Sequence, residues 1–335
     1  MTTIYDIAKE TGYAPSTVSK TLNGYKGVSK KAKAIINNAA KEMHYIPNLN
    51  ARMLMTKKSY MIGILLSEES EMGMLHPHFS EILENFKKKL EFYGYDIVFL
   101  NRRIGNNEVT FLDHCKHRGI DGVMLAVSSS TNKAFKQLAL DLVNSDIPKI
   151  SVEDIYNNIP TIISDNYTGA KEAMGFLYNS GHRNIGLVKL KPFNIASSQR
   201  EKGYMDFMKE KKLKINKDIV YDINTFTYEE GIRIGKKIIT NSKATAFFVV
   251  YDEIAIGIME VLKENKISVP EDISIVGFDD LTIAKHFNLT TVKQNRKAIG
   301  EIAAEKLIKI IENDEREKTE FIPTKLIIRE SVASC

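Results

Sequence analysis

Polar side chains follow several short apolar runs in the second part of the chain. Seven stand in such places: Ser67, Glu68, Glu153, Asp154, Asp165, Asn166 and Asp279. If the runs are parallel strands, these residues lie at the carboxyl edge of a sheet, where open α/β folds bind ligands. Carboxylates accept hydrogen bonds from hydroxyl groups, so a hydroxyl-rich ligand fits this composition. Asp165 is an equally good cap for the helical segment that follows it, and Asp279 is also typical of a turn.

Other kinds of chemistry find little support. The HPH stretch at 76–78 has no third ligand at metal-site spacing, and we interpret its histidines as loop residues near the cleft mouth. His114 and His117 lie three apart on a predicted helix and are interpreted as solvated. Neither a G-x-x-x-x-G-K-[ST] phosphate loop nor a G-x-S-x-G elbow occurs in the sequence. We therefore predict no catalytic residues, no metal and no cofactor apart from a small-molecule ligand.

The N-terminal segment offers a polar helix face instead. Apolar residues recur with helical spacing in two short pieces on either side of Gly12. Thr3 and Asp6 predict the start of the first helix, and Pro15 suits the first turn of the second. Val18 and Leu22 are four apart and face the first helix. The outer face then carries Pro15, Ser16, Ser19 and Lys20. Such a helix-turn-helix places its second helix in the DNA major groove.

A third helix is predicted from about Lys30 to Met43, after the cap-like Ser29. Its predicted packing face consists of Ala32, Ile35, Ile36 and Ala39. Residues 1–60 contain nine Lys and one Arg against three acidic residues, a charge of +7, so the rest carries −2 of the total +5. This asymmetry favours a polyanion partner. A solvated terminus, or a three-helix bundle with an inert outer face, remains an alternative.

Composition limits the class of protein. With 335 residues and 43% hydrophobic content, the chain can bury a large core and is expected to hold more than one domain. No run of eighteen apolar residues appears, so we expect no membrane span or signal peptide. Cys115 and Cys335 make no disulfide framework, which is typical of the reducing cytoplasm.

Short apolar runs alternate with helical segments from Tyr60 onward. The candidate strands are MIGILLS, YDIVFLN, GVMLAV, IPKIS, TIIS, NIGLVKL, AFFVV and ISIVGF. Continuous apolar strands between helices predict parallel sheets that are covered on both faces. Eight strands are many for one open sheet of this kind, so two Rossmann-like subdomains are predicted.

The N-terminal sequence TIYDIAKETGYAPSTVSKTLNG, followed by VSKKAKAIINNAAKEMHYIPNLNARML, resembles the LacI-type (LacI/GalR) family of transcriptional repressors. The body continues the similarity with SSQREKGYMDF, VPEDISIVGFDD, LTTVKQ and KLIIRES in the family's order. The resemblance implies an all-α helix-turn-helix domain (1–45) and a hinge helix (46–58). It also implies an α/β effector-binding and dimerisation domain (59–335) like a periplasmic binding protein. The N-lobe would be about 60–162 and 292–322, and the C-lobe about 163–291 and 323–335.

The resemblance also assigns roles in the head. Residues matching Pro15, Ser16 and Lys20 read bases, and those matching Tyr5, Ser19 and Asn23 contact phosphates. The hinge residues matching Ala51 and Leu54 enter the minor groove, where an apolar wedge kinks DNA. Two departures from the family stand out. Ala14 replaces a Ser or Thr and removes a helix cap, and Lys20 replaces a common Arg and loses its bidentate fork.

In the body, the residues matching Asp165, Arg200 and Asp279 bind the family's effector, commonly a sugar. Ser67 and Glu153 are further candidates because they follow strands, and Phe79 and Phe226 because their rings can stack on a sugar. Tyr251 stands where the family often has Asn, so the cleft differs there in shape or chemistry.

Together these features predict a cytoplasmic, nucleoid-associated regulator rather than an enzyme or a membrane protein. We expect a homodimer that binds double-stranded operator DNA and is released by a sugar or sugar derivative. A regulator that needs a purine or a protein corepressor is the alternative within the family. A sugar-binding protein or an enzyme that carries a basic head is the alternative outside it.

Overall fold

The computed structural model describes residues 2–25, 27–46, 53, 58–66, 76–126, 133–191, 194–241, 243–313 and 318–335. The chain forms two compact units, Met1–Tyr60 and Met61–Cys335. Four residues of interest lie outside the described residues: Ala51 and Leu54 of the predicted hinge, and Ser67 and Glu68 after the first predicted strand.

The described part of the first unit contains the helices α1 (Ile4–Thr11), α2 (Pro15–Leu22) and α3 (Lys30–Glu42). Helix α1 begins with a capping box between Thr3 and Asp6 and ends at Gly12, whose φ of 73° suits a residue without a side chain. Ile7, Val18 and Ile36 are fully buried where the helices meet. The predicted helix-turn-helix is therefore present, and Val18 and Leu22 face inward as expected.

One predicted core residue of α3 is wrong. Ile35 is 40% exposed, whereas α3 buries Ala32, Ile36, Ala39 and Ala40. Ile35 has helical spacing from Ala32 and Ala39, but the stripe is centred on Ile36, so Ile35 lies at its edge and is partly in solvent. Ala40, which was not predicted, is buried on this face.

The second unit contains two six-stranded sheets. The first sheet has the order β13-β7-β6-β5-β1-β2, with all neighbours parallel. Its strands are β1 (Met61–Leu66), β2 (Asp96–Phe99), β5 (Gly122–Ala126), β6 (Lys149–Val152), β7 (Thr161–Ser164) and β13 (Glu320–Ile322). The short strands β3 (Arg103–Ile104) and β4 (Asn107–Glu108) pair separately. The helices of the lobe that contains the first sheet are α4 (Pro77–Phe92), α5 (Phe111–Arg118), α6 (Lys133–Asn144) and α12 (Arg296–Asn313).

The second sheet has the order β14-β12-β11-β10-β8-β9, and only the edge strand β14 is antiparallel to its neighbour. Its strands are β8 (Ile185–Leu190), β9 (Val220–Ile223), β10 (Ala246–Val249), β11 (Ser274–Asp279), β12 (Thr290–Lys293) and β14 (Lys325–Ile327). Its helices are α7 (Asn166–Asn179), α8 (Ile195–Glu210), α9 (Tyr228–Asn241), α10 (Asp252–Glu264) and the short α11 (Thr282–His286). The two-lobed α/β architecture with parallel sheets confirms the predicted fold class.

Each lobe is a layered structure because its strands are apolar on both faces. In the second lobe, Phe247 packs with α9 and α10 on one face of the sheet, and the adjacent Phe248 packs with α7 and α8 on the other. All four residues of β10 are buried, which matches this two-sided cover. The continuous apolar runs in the sequence reflect this arrangement.

The chain passes between the lobes after β7, after β12 and after β13. Strands β7 and β12 lie wholly within the first and second sheets, so the first two crossings fall slightly later than the boundaries expected at 162 and 291. No helix in the described parts of the chain is both long and apolar enough to cross a membrane.

Candidate functional site

The outer face of α2 consists of exposed small and polar side chains. Pro15, Ser16, Lys20 and Asn23 are exposed, and Ser19 is half-buried. On α1, Tyr5 is 67% exposed, although it is a large aromatic residue. Hydroxyl, amide and ammonium groups on a short helix match the donors and acceptors of base edges and phosphates.

The N-terminus of α2 has no side-chain cap. Ala14 adopts the extended conformation of an N-cap residue, with φ −61° and ψ 143°, but its methyl group accepts no hydrogen bond. Pro15 has no N–H and the Thr17 amide donates to the Ala14 carbonyl oxygen at 2.8 Å, so the N–H group of Ser16 is the one that this turn can offer to an anion. At the other end, the Asn23 amide donates to the Ser19 carbonyl oxygen at 2.8 Å, which fixes the side chain over the last turn.

In the second unit, the predicted effector residue Arg200 is almost fully buried on α8. Its Nε donates to Oδ1 of Asn166 at 2.8 Å, and its Nη1 donates to the Val250 carbonyl oxygen at 2.6 Å. Nη1 also lies 3.4 Å from Oδ1 of Asp279, and the guanidinium carbon lies 3.7 Å from the centre of the Phe278 ring. The arginine is thus held rigid at the carboxyl ends of β10 and β11.

Two carboxylates lie near this arginine. Asp279 ends β11, and its Oδ1 accepts from Nε2 of Gln294 at 2.5 Å, while Oε1 of Gln294 accepts from the Ser164 hydroxyl at 2.5 Å. Because Ser164 ends β7 of the first lobe, this chain of hydrogen bonds joins both lobes. The second carboxylate, Glu153, follows β6, and its Oε1 accepts from the Ser164 amide at 3.3 Å.

Burial controls the charge of these acids. It raises the pKa of Glu153 to about 7, although the nearby Arg200 charge opposes the rise. It also raises the pKa of Asp279, against the charges of Arg200 and Arg296. Glu153 (φ 61°) and Asp279 (φ 123°) both have left-handed backbone angles, as does Asp280 (φ 53°), and such strain concentrates at functional sites.

Aromatic rings from both lobes meet beside these acids. His76 precedes α4 in the first lobe, and its ring centre lies 5.2 Å from that of Phe226, in the loop after β9 of the second lobe. Phe79 lies 5.7 Å from His76, and Tyr251 lies 5.7 Å from Phe226. Rings on two sides of a buried polar cluster are typical of a site for a small ring-shaped ligand.

The interpretation of the HPH histidines as loop residues is wrong. The chain enters α4 there, because Nδ1 of His76 accepts from the His78 amide at 3.2 Å and caps the helix. Burial lowers the pKa of His76 to about 4 and that of His78 well below its usual range, so both rings are neutral. Nε2 of His78 lies 3.8 Å from Oε1 of Glu153, and its buried Nδ1 has no hydrogen-bond partner among the described residues.

The prediction for His114 is also wrong. Its side chain is 1% exposed, and its Nδ1 accepts from the Asn101 amide at 3.2 Å. The ring packs under the loop after β2, a contact that the spacing of His114 and His117 does not reveal. Among the described residues, no group of three His, Cys, Asp or Glu side chains could hold a metal ion.

Asp165 caps a helix. Its Oδ1 accepts from the Thr168 amide at 3.0 Å at the start of α7, while the adjacent Asn166 is fully buried against Arg200. Of the two polar residues at this strand end, Asn166 and not Asp165 makes the contact with Arg200. Both residues stand after TIIS in the sequence, and the helical register decides which one points inward.

Asp252 is a buried carboxylate that sequence reasoning did not single out. Its Oδ1 accepts from the Thr291 hydroxyl at 2.6 Å and its Oδ2 from the Leu281 amide at 2.9 Å. A Cβ atom on Gly277 would lie 2.3 Å from Oδ1 of Asp252, so only glycine fits there. Burial and the neighbouring Asp279 charge raise its pKa. Through the Leu281 amide, Asp252 holds the backbone directly after the Asp279–Asp280 turn.

The fold and both sites define a class of protein, a helix-turn-helix DNA-binding unit joined to a two-lobed ligand-binding unit. Residues 3–48 match the model of bacterial regulatory proteins of the lacI family, and residues 174–332 match the periplasmic binding protein-like domain. The chain is 31% identical to the HTH-type transcriptional regulator RegA of Clostridium saccharobutylicum, over 98% of this chain and 99% of RegA. It is 28% identical to the HTH-type transcriptional repressor PurR of Vibrio parahaemolyticus, over 99% of both chains.

Solved structures share the fold. The lac repressor dimer bound to operator and the anti-inducer ONPF superposes with a TM-score of 0.78, at 22% identity over 99% of both chains. A LacI family regulator from Enterococcus faecium with bound ribose superposes with a TM-score of 0.68, at 24% identity over 82% of this chain and 99% of that one. The chain belongs to the lacI family of bacterial regulatory proteins, and its function is that of a DNA-binding transcriptional regulator.

Proposed function

We propose that this regulator is a repressor that leaves its operator when an uncharged polyhydroxylated ligand, a sugar or a sugar derivative, binds between the lobes. The observation that carries the proposal is the buried group of Arg200, Asp279 and Glu153 beside the rings of His76 and Phe226. Carboxylates accept from hydroxyls, a guanidinium donates to them, and the rings cover an apolar face. The ribose bound to the Enterococcus faecium relative agrees with this ligand class.

The balance of charge favours an uncharged ligand over a phosphorylated one. The two buried arginines among the described cleft residues are already engaged, Arg200 with Asp279 and Arg296 with Glu81. A phosphate placed there would be buried near the Asp279 carboxylate without a free cation, and an unpaired buried charge costs several kcal/mol. Glu153, with its raised pKa, can donate or accept a hydrogen bond near neutral pH.

The same proposal covers the DNA-bound form. A reader of a two-fold pseudo-palindromic operator needs two heads, so the working unit is a homodimer in the cytoplasm, and it carries out no catalysis. On α2, Pro15, Ser16 and Lys20 face the bases, and Ser19 and Asn23, with Tyr5 of α1, face phosphates. We extend the DNA contact to Ala51 and Leu54 on the family resemblance, and the effector site to Ser67 because it follows the strand β1 in the sequence.

Two measurements test the proposal. Selection from a randomised duplex library with the full-length protein supplies an operator duplex. Calorimetry against neutral sugars, sugar phosphates and purines then identifies the effector class. We expect a neutral sugar to bind and to weaken duplex binding. Binding of only phosphorylated sugars or purines would overturn the effector class.

Arg200→Ala is the matching variant. It should abolish the sugar response and leave the duplex affinity unchanged, because Arg200 lies in the second unit. Arg183→Ala is the control, since Arg183 is an exposed arginine that also stacks on an aromatic ring, 3.8 Å from the centre of Tyr178. An unchanged sugar response in Arg200→Ala would remove this arginine from the site.

A further inference from the structure

Arg296 connects the two lobes beside Asp279, whose carboxylate is proposed to bind the effector. It is the first residue of α12, a helix of the first lobe, and it is 7% exposed. Its Nε donates to Oε2 of Glu81 on α4 at 2.6 Å. Its Nη1 donates to the Asp279 carbonyl oxygen and its Nη2 to the Asp280 carbonyl oxygen, the latter at 3.3 Å. All three nitrogens of the guanidinium are therefore in use.

The first-lobe side of this contact is rigid. Helices α4 and α12 approach so closely that a Cβ atom on Gly300 would lie 2.4 Å from the Ile82 carbonyl oxygen. Glu81 lies one turn after His78 and Phe79, which form the first-lobe wall of the cleft. A displacement of Arg296 is therefore transmitted to the two packed helices together.

The second-lobe side is strained. Asp279 and Asp280 are consecutive residues with left-handed φ values of 123° and 53°. Their carboxylates have separate partners: Arg200 and Gln294 hold Asp279, and Arg329 holds Asp280 at 2.5 Å. Arg296 holds only the backbone carbonyl groups of this step. A ligand that competes for the Asp279 carboxylate therefore acts on the residue pair Asp279 and Asp280, whose carbonyl oxygens accept hydrogen bonds from Arg296.

We propose that Arg296, oriented by Glu81, is the positioning residue that couples ligand occupancy at Asp279 to the position of α4 and α12. The inference rests on the proposed function, because it takes Asp279 as a ligand-binding residue. In this role Arg296 acts through the backbone carbonyl groups of Asp279 and Asp280. Its fork engages both carbonyl groups at once, which a lysine cannot reproduce with a single ammonium group.

Hydrogen exchange of the ligand-free, full-length protein tests the connection. Arg296→Lys should increase exchange on the order of tenfold at the amides of both Ser80 and Leu281, a size typical of residues that couple two sites. The core amides of β10 should keep their protection. Lys297→Ala, an exposed neighbour on α12, is the control and should change neither segment. Protection that stays unchanged at either amide, or is lost equally throughout the lobe, would overturn the proposal.

The second readout separates coupling from binding. We define the coupling factor as the duplex affinity without sugar divided by the affinity with the sugar that calorimetry identifies. In Arg296→Lys this factor should fall about tenfold, while the sugar Kd changes less than about threefold. Glu81→Gln should lower it in the same direction by a smaller factor, and it replaces Arg296→Lys if that variant does not fold. An unchanged coupling factor would overturn the role of Arg296.

The two proposals fail in different ways. If the wild-type duplex affinity responds to no neutral sugar, the proposed effector class is wrong, and Arg296 has no such coupling to perform. If the wild type responds and both Arg296→Lys and Glu81→Gln respond equally, only the positioning role is wrong.

Discussion

Ala14 is the residue at which this head differs most simply from a well-capped helix. Its backbone already has N-cap geometry, and only the side-chain oxygen is missing. Ala14→Ser should therefore stabilise α2 by about 1 kcal/mol. Hydrogen exchange at the first-turn amides of α2 measures the gain. Thr3→Ala, which removes the existing cap of α1, is the reciprocal control and should cost a similar amount. Equal exchange in Ala14→Ser and the wild type would contradict this account of the cap.

His76 makes a second residue-scale prediction, on pH. Burial and the Arg296 charge lower its pKa to about 4 from 6.5, so the unfolded chain takes up the proton first as the pH falls. Its contribution to the free energy of unfolding is complete above about pH 6.5 and is lost progressively down to about pH 4. His76→Asn keeps a helix cap without a titrating group, so it should lose less stability over this window, by up to about 3 kcal/mol.

Denaturant unfolding at a series of pH values measures this difference. His117→Asn, which changes an exposed imidazole, is the control and should follow the wild type. Parallel curves for His76→Asn and the wild type would contradict the proposed role. The contribution of Glu153 to the pH dependence has the opposite sign, because its raised pKa removes stability as the pH rises towards 7. This contribution is the same in His76→Asn and the wild type.

At this scale the sequence identified groups but not their partners. Glu153, Arg200 and Asp279 were predicted, and the structure brings them together around Arg200. Gln294 and Arg296 were not, because their contacts with Ser164 and Glu81 join residues 130 and 215 positions apart. Local spacing carries no information about such contacts. The neutral state of His78 likewise depends on burial, which only the folded chain determines.

At the scale of elements, the close pair of helices α4 and α12 gives a test of packing. Gly300→Ala would place a methyl group 2.4 Å from a backbone oxygen of α4, so the helices must separate. We expect a loss of about 1–3 kcal/mol, the usual cost of overpacking. Denaturant unfolding of the full-length protein measures this loss.

Gly175→Ala in α7 is the matched control for Gly300→Ala. The added carbon would lie 3.7 Å from Phe207, an ordinary contact. Because alanine favours the helix, this variant should gain up to about 1 kcal/mol. Similar stability changes in the two variants would show that the close approach of α4 and α12 does not require glycine at position 300.

Most elements were predictable because their signals are local. Every predicted strand is present, since buried parallel strands are continuous apolar runs. The candidate strands did not include the short pair β3 and β4, the edge strands β9, β13 and β14, or the strand β12. In β9 and β13 only the last residues, Ile223 and Ile322, are buried, so an edge strand with an exposed side resembles a loop in sequence. Ile35 shows the same limit in α3, where one residue of register separates core from surface.

At the scale of the whole molecule, the prediction concerns assembly. An operator with two-fold symmetry is read by two heads, so the full-length protein should sediment as a dimer at micromolar concentration. A monomer or a stable tetramer at that concentration would contradict the proposed assembly.

The two-lobed architecture could be predicted from the alternation of strands and helices, together with the resemblance to the LacI family. The identity of the ligand could not be predicted in this way. It depends on which buried charges are already paired, as Arg200 and Arg296 are, and pairing is a property of the whole fold.

The most direct test of the central claim is fluorescence anisotropy with the selected duplex and a scrambled duplex over a range of salt concentrations. We predict that the selected duplex binds at least about 1,000-fold more tightly, and that log affinity falls linearly with log salt. Lys20→Gln should reduce this preference, because we propose that Lys20, which is exposed on α2, contacts the bases. Equal affinity for the two duplexes at every salt concentration would contradict the claim that this head reads DNA sequence.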